Sequence, residues 1–280
     1  MSPKLLFTAR CFFALSLIVF GVQQFALGKL VAGRPSVLAS LISGEDVVAY
    51  IVGVLLVLTG LLVLVGRFYQ YGLIGVGSWL LGAAALPNLV QTIAKADYGA
   101  LLTCTGKALT LGSGAFLVLA SFYKGAAPLV GAKPAVDAPL PVATRTLAGA
   151  PAFFLRLGVL CRFCFGLFLL ASGIQHFLFV DFVKALIPAW IPGDVFWVYA
   201  SGVFLIVAGG CFLAGWQLNR VGKTVAAVIL GWFLILHLPR AIGPDGNANE
   251  WTASFEALAF SGLAYLLSVP AFYVMSQPRI

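Results

Sequence analysis

Hydrophobic residues gather along this chain into eight long blocks, at residues 5–27, 48–66, 72–93, 100–123, 155–178, 195–216, 224–242 and 252–275, with short, more polar segments between them. The hydrocarbon core of a bilayer takes about 20 apolar residues per helix. Each block therefore predicts one transmembrane helix, and the pattern predicts an all-α membrane protein with eight transmembrane helices. The block at Leu5–Leu27 follows Lys4 and has the outline of a secretory signal peptide. It is longer than an ordinary signal core and has a counterpart later in the chain, so it is read as the first span. Between the fourth and fifth blocks, residues 124–150 are rich in Pro, Ala and Gly without periodicity, which predicts a linker.

The blocks on the two sides of that linker are alike. Phe20–Phe25 reads FGVQQF and Ser172–Phe177 reads SGIQHF. In the same register Arg10 falls on Arg162, Gln23 on Gln175 and Pro87 on Pro239. With small gaps, Gly53 and Gly60 fall on Gly202 and Gly209, and Lys107 falls on Glu256. Two four-helix bundles are expected, residues 1–123 and 151–280, joined by a cytoplasmic linker at 124–150. An even number of spans per unit gives both the same orientation, so a pseudo-twofold axis along the membrane normal would relate them.

Composition strengthens this picture. Of the 280 residues 61% are hydrophobic and 9% charged, where a soluble domain has about a quarter charged. The formal net charge of +8 does not point to nucleic acid, because the basic residues are thinly spread between apolar runs and form no patch. They act as topology signals instead. With a cytoplasmic N-terminus, that side receives Lys4, Arg10, Arg67, Arg162, Arg220 and Lys223 among others and a single acid, Asp137, while the remaining acids fall on the outer side. The expected setting is a bacterial-type inner membrane, with both termini cytoplasmic and the lipid bilayer as the main solvent.

One stretch departs from the apolar pattern. Residues 173–194, GIQHFLFVDFVKALIPAWIPGD, carry a histidine, charges of both signs and two prolines. Phe179, Phe182, Val183, Leu186 and Ile187 recur at helical spacing around Asp181 and Lys184, which predicts a short helix in the membrane interface. Pro188 and Pro192 would end it, and Trp190 and Trp197 would sit at headgroup depth. Gln175 and His176 fall in the last turn of the fifth span. His237 and Arg240 fall near the outer end of the seventh, and Glu256 about one turn into the eighth, after Trp251. These groups are expected to converge on the outer leaflet of the second unit. Ionisable groups within spans are costly and mark candidate sites. The first unit has Gln24, Ala85, Asn88 and Lys107 at the corresponding positions, so the second unit carries the candidate site, and Lys107 is a candidate partner for Glu256.

The pieces GIQHF, IPAWIP, SGVFLIVAGG and EWTASFEALAFSGLAYLL occur in order between Leu155 and Val269. In these the second unit resembles the DoxX-like membrane proteins, four-helix units with a histidine-phenylalanine pair ending the first helix, a proline-tryptophan-proline turn and a glycine-rich next helix. Many relatives have an acid in that glycine-rich helix where this chain has Leu205. The resemblance implies a subunit of a redox or respiratory complex, since some members belong to sulfur-compound:quinone oxidoreductases and others accompany redox or thiol-stress proteins. On that reading a quinone would bind among Gln175, His176, Trp190, His237, Arg240, Trp251 and Glu256. His176 would donate a hydrogen bond, His237 or Glu256 would pass protons, and Arg240 would tune the charge. A membrane anchor or assembly protein for partner subunits, and a small-solute transporter, are the other classes the pattern admits.

Other motifs carry less. Two histidines and Glu256 are metal-ligand types, but their spacing is no metal motif. Cys161 and Cys164 have redox-motif spacing, yet lie in an apolar helix facing a reducing compartment, and apolar packing accounts for all five cysteines. Arg10 and Arg162, a turn or two inside their helices, suit snorkelling to lipid phosphate. No Walker loop, dinucleotide fingerprint, nucleophile elbow or haem-attachment motif is present.

Overall fold

The computed structural model describes residues 3–32, 44–124, 151–244 and 246–269. The expected linker beyond Lys124, and the end of the eighth block beyond Val269, lie outside the described residues. Those described form α1 (Pro3–Leu27), α2 (Glu45–Val65), α3 (Tyr69–Lys95), α4 (Ala100–Lys124), α5 (Pro151–Leu178), a short α6 (Val180–Lys184), α7 (Asp194–Ala214), α8 (Leu218–Ile242) and α9 (Ala248–Leu267). No strand occurs among them. Helices α1, α2, α3, α4, α5, α7 and α8 are long and apolar enough to cross a bilayer. The chain is thus a multi-pass membrane protein.

The eighth expected span, α9, is the exception, and its packing explains why. Glu250, Thr252, Ser254 and Glu256 make its first turns polar, but thirteen of its 20 residues are buried, against seven of 21 in α7. A helix surrounded by other helices need not be apolar toward lipid. It packs on α1, α8 and α4.

Local sequence sets the turns and the bends. Gly66 and Gly215 close α2 and α7 in the left-handed region, at φ +74° and +71°, where a side chain would be strained. The prolines at 87 and 239 act inside long helices. Each lacks an N–H and would clash with the carbonyl four residues back. In both helices the turn before the proline widens, at Leu80–Ala85 and at Phe233–His237. Leu86 N–H then donates to Leu81 O, and Leu238 N–H to Phe233 O. The helix continues past the proline through one π-type turn.

Neighbouring helices run antiparallel and close. A Cβ on Gly21 would lie 2.7 Å from Gly53 O, and one on Gly173 2.7 Å from Gly202 O. One on Gly60 would lie 2.6 Å from Ala14 O, and one on Gly209 2.7 Å from Gly166 O. The α1–α2 contact is thus repeated in α5–α7, on the glycines that the sequence register pairs. The bundle is not divided at the linker. Helix α4 packs extensively on α5, and α1 on α9, so the first helix of each half lies against the last helix of the other. Helices α4 and α9 meet side by side in the middle, running the same way. A Cβ on Gly114 would lie 2.5 Å from Leu263 Cδ1 there, and Lys107 meets Glu256.

Antiparallel packing sorts the charges. Every described acid (Glu45, Asp46, Asp97, Asp181, Asp194, Glu250 and Glu256) lies toward one side, together with Lys29, Lys95, Lys107, Lys184 and Arg240, while Lys4, Arg10, Arg67, Arg162, Arg220 and Lys223 lie toward the other. These are called the acidic and basic sides below.

The glycine contacts give a direct test. Gly209→Val should force α5 and α7 apart and cost about 2 kcal/mol or more of stability, read as a lowered unfolding midpoint in detergent. Gly231, whose Cβ position is open space, should accept Ala with no loss of midpoint.

Candidate functional site

Three sets of polar contacts on the acidic side tie helices together. The first joins the two halves of the chain. Lys107 Nζ donates to Glu256 Oε2 at 2.6 Å, and Glu256 is 4% exposed. Glu256 sits eight residues into α9, about 12 Å along its axis, deeper than the single turn expected. At such depth a carboxylate needs a counter-charge within reach, and α4 provides it. The ion pair anticipated from the sequence register is present.

The second set closes the α8–α9 turn. Arg240 Nη2 donates to Glu250 Oε1 at 2.6 Å. Asn247 caps α9, its side-chain oxygen accepting from the amides of Asn249 (2.9 Å) and Glu250 (3.3 Å). Glu250 was missed as Arg240's partner. The available signal was opposite charges flanking a Gly/Pro/Asn turn between two helices.

Between these pairs stands His237, at the end of the wide turn in α8. Its Nδ1 is buried and has no hydrogen-bond partner. Lys107 and Arg240 are near enough for their charges to act on its ring. A buried ring nitrogen without a partner is costly, and this one lies beside two cations whose carboxylates are already engaged. The other end of the same wide turn, Phe233, belongs to an aromatic run. Trp251 stacks on Phe255 at 6.2 Å and 10°, and Phe255 meets Phe233, the first residue of the same wide turn, edge-on at 6.1 Å. Trp251 also lines an open groove of about 430 Å³ with Val19, Val22, Gln23, Ala26, Leu27 and Ala248.

The third set is the glutamines. Gln175 Nε2 donates to Tyr98 O (2.6 Å) and Gly99 O (3.1 Å), and its Oε1 accepts from Thr103 Oγ1 at 2.9 Å. Gln23 does the same at the other crossing: Nε2 donates to Ala248 O at 3.0 Å, and Oε1 accepts from Thr252 Oγ1 at 3.3 Å. Gln175 thus ties α5 to the start of α4, and Gln23 ties α1 to the start of α9. Thr103 and Thr252 were not singled out from the sequence. The signal was their shared offset, the same one that relates Lys107 to Glu256.

His176 and Trp190 stand apart from these groups. The His176 ring bonds within its own helix, Nδ1 to Ser172 O at 2.7 Å, and its Cβ packs against Gly202 of α7. A carbonyl only accepts, so Nδ1 carries the proton, and Nε2 of the neutral ring is an acceptor. The neutral ring therefore offers a ligand a lone pair rather than the hydrogen-bond donor expected from sequence. Trp190 is 71% exposed in the connector after α6. That connector is only partly the predicted interfacial helix, since α6 spans five residues and turns follow it. Trp197 Nε1 pins the turn by donating to Pro192 O at 3.1 Å.

The comparisons with known proteins add one finding. Residues 165–269 match a family described as a domain of unknown function (DUF8561). The matched segment runs from α5 to the end of α9, the part of the chain that contributes His176, His237, Arg240 and Glu256. No curated protein and no solved structure matches the chain.

The central ion pair is tested by exchange. Glu256→Gln leaves the Lys107 ammonium without its acid and should lower stability by about 3 kcal/mol. Lys107→Glu alone should do the same by opposing two acids. The double variant Lys107→Glu/Glu256→Lys should recover more than half of the lost unfolding midpoint. Equal midpoints in all four proteins would show that the pair adds nothing to stability.

Proposed function

We propose that the chain crosses a bacterial-type inner membrane with eight helices, arranged as two four-helix units about a pseudo-twofold axis. The units are residues 1–123 and 151–280, with both termini and the 124–150 linker on the cytoplasmic side. The paired glycine contacts, the two wide turns before prolines, and the matched Gln23 and Gln175 clamps support this arrangement. The basic side then faces the cytoplasm, in keeping with the positive-inside rule.

On this reading the protein is a DoxX-like membrane subunit of a redox or respiratory complex that holds a quinone-like molecule near the outer leaflet. One observation carries it: the buried, unpartnered Nδ1 of His237, beside Lys107 and Arg240. A quinone is a planar ring with hydrogen-bonding oxygens on an apolar tail. The groove at Trp251 suits the tail, the Trp251–Phe255–Phe233 run suits the ring, and His237 provides a partner for a ring oxygen. Glu256 and Arg240, each in an ion pair, set the local charge. His176 serves as an acceptor at the α5–α7 seam. Any electron transfer belongs to the bound molecule and to partner subunits. The closed Lys107–Glu256 and Arg240–Glu250 pairs favour a second reading, a non-catalytic anchor in which the polar groups only fasten helices.

Purification in native lipid, followed by mass spectrometry of everything retained, separates the two. Quinone held by wild type and by His176→Ala, and lost from His237→Ala, is the expected result. Partner subunits retained equally by all three proteins, with no quinone in any, would leave the anchor reading.

A further inference from the structure

The two arginines that the repeat sets in register, Arg10 and Arg162, are treated differently by the fold. Arg10 is satisfied. Its Nε donates to Ser121 Oγ at 2.8 Å, its Nη2 to Ser121 O at 2.7 Å, and its guanidinium lies 3.9 Å over the Phe122 ring. Arg162 has no such serine partner; its guanidinium lies 4.4 Å over the Phe163 ring. It is 9% exposed, and its Nε is buried with no hydrogen-bond partner. No described carboxylate lies on its side of the bundle. A guanidinium carries five N–H donors and a charge that proteins do not titrate away. Burial without an acceptor is therefore a strong demand for an anion.

The surroundings are built around that group. Arg162 Nη1 lies against Gly215, 2.5 Å from where a Cβ would stand. The corresponding Gly66 has nothing within 4 Å of its Cβ position, so the guanidinium occupies this turn in one half only. Helix α8 begins three residues after Gly215 with no side-chain cap; the Arg220 and Val221 amides donate to Gln217 O, which leaves those of Leu218 and Asn219 to face an anion. Arg220, exposed in the first turn of α8, adds positive charge to this end of the bundle. Phe163, under the guanidinium, and Trp216, next to Gly215, are exposed at 39% and 63%, so the approach is apolar and open to lipid.

We propose that Arg162 and the α7–α8 turn bind a phosphate group, that of an anionic phospholipid in the leaflet on the basic side. The guanidinium fork takes two phosphate oxygens, the start of α8 and Arg220 complement the charge, and Phe163 and Trp216 lie along the acyl chains. Arg10, already committed to Ser121, binds none. The repeat thus carries one lipid site, in the second half alone.

The full chain in nanodiscs of phosphatidylcholine with a minor fraction of phosphatidylglycerol tests this by native mass spectrometry of the lipids that remain bound. Wild type should retain phosphatidylglycerol selectively, and less so as salt is raised. Arg162→Gln should lower that retention about tenfold, as expected for loss of a charge-assisted pair. Arg162→Lys should fall between them, and Arg10→Gln should match wild type. Equal retention by wild type, Arg162→Gln and Arg162→Lys overturns the proposal, as does retention of both lipids in their bulk ratio by wild type. Inorganic phosphate is the second probe. An Arg162-dependent thermal shift with phosphate in phosphatidylcholine alone, without phosphatidylglycerol selectivity, overturns the lipid as ligand and assigns the site to a soluble phosphate compound.

Discussion

The structure depends on one contact, the Lys107–Glu256 ion pair between α4 and α9. A carboxylate two turns inside a lipid-embedded bundle is tolerated only if its charge is met at close range. Meeting it brings the last helix of each half together, and the rest of the packing follows. With α4 and α9 adjacent and running the same way, α5 lies on α4, α1 lies on α9, and no surface separates the halves. The positions that meet are register equivalents. Lys107 faces Glu256, and Gly114 faces Leu263. Two identical units would set like charge against like charge and bulk against bulk here. The covalent tandem lets the two partners differ, so charge and volume are both complementary.

Much of this was legible in the sequence because lipid leaves few alternatives. A span must satisfy its backbone internally, so apolar blocks of sufficient length become helices. Seven of the eight blocks are helices that meet the length and apolarity needed to cross a bilayer. The repeat could be read from residues whose roles are backbone roles: Gly53 and Gly60 at close helix contacts, Pro87 and Pro239 at bends, Gln23 and Gln175 at clamps. The boundaries were less legible. Helix α8 starts at Leu218 rather than near residue 224, because Asn219, Arg220 and Lys223 are polar yet stand at the end of the bundle where polarity costs little. Helix α9 looked like any other span, and its burial could not be seen from its own residues.

The polar cluster was legible in its members but not in its partners. Pairing Lys107 with Glu256 needed only the register. Pairing Arg240 with Glu250 needed the geometry of a hairpin. His176 and His237 look equivalent as rare histidines in apolar helices, but His176 is one residue past the clamp glutamine and turns toward α7, while His237 turns inward at the widened stretch. Arg10 and Arg162 are likewise indistinguishable in sequence. Their difference arises because Ser121 is within reach of one and the α7–α8 turn lies against the other.

The glutamine clamps bear on how the protein is made. Gln23 emerges from the ribosome 225 residues before Ala248 and 229 before Thr252, the partners it clamps. Helix α1 must therefore wait, with a polar amide uncommitted, while helices α2 to α8 are made. The first half cannot be completed as an independent intermediate, and a stalled or truncated chain exposes both an unmatched amide and the Lys107 ammonium. Such groups within the bilayer are what membrane quality control can recognise, so the same contacts that join the halves also report whether the chain was finished.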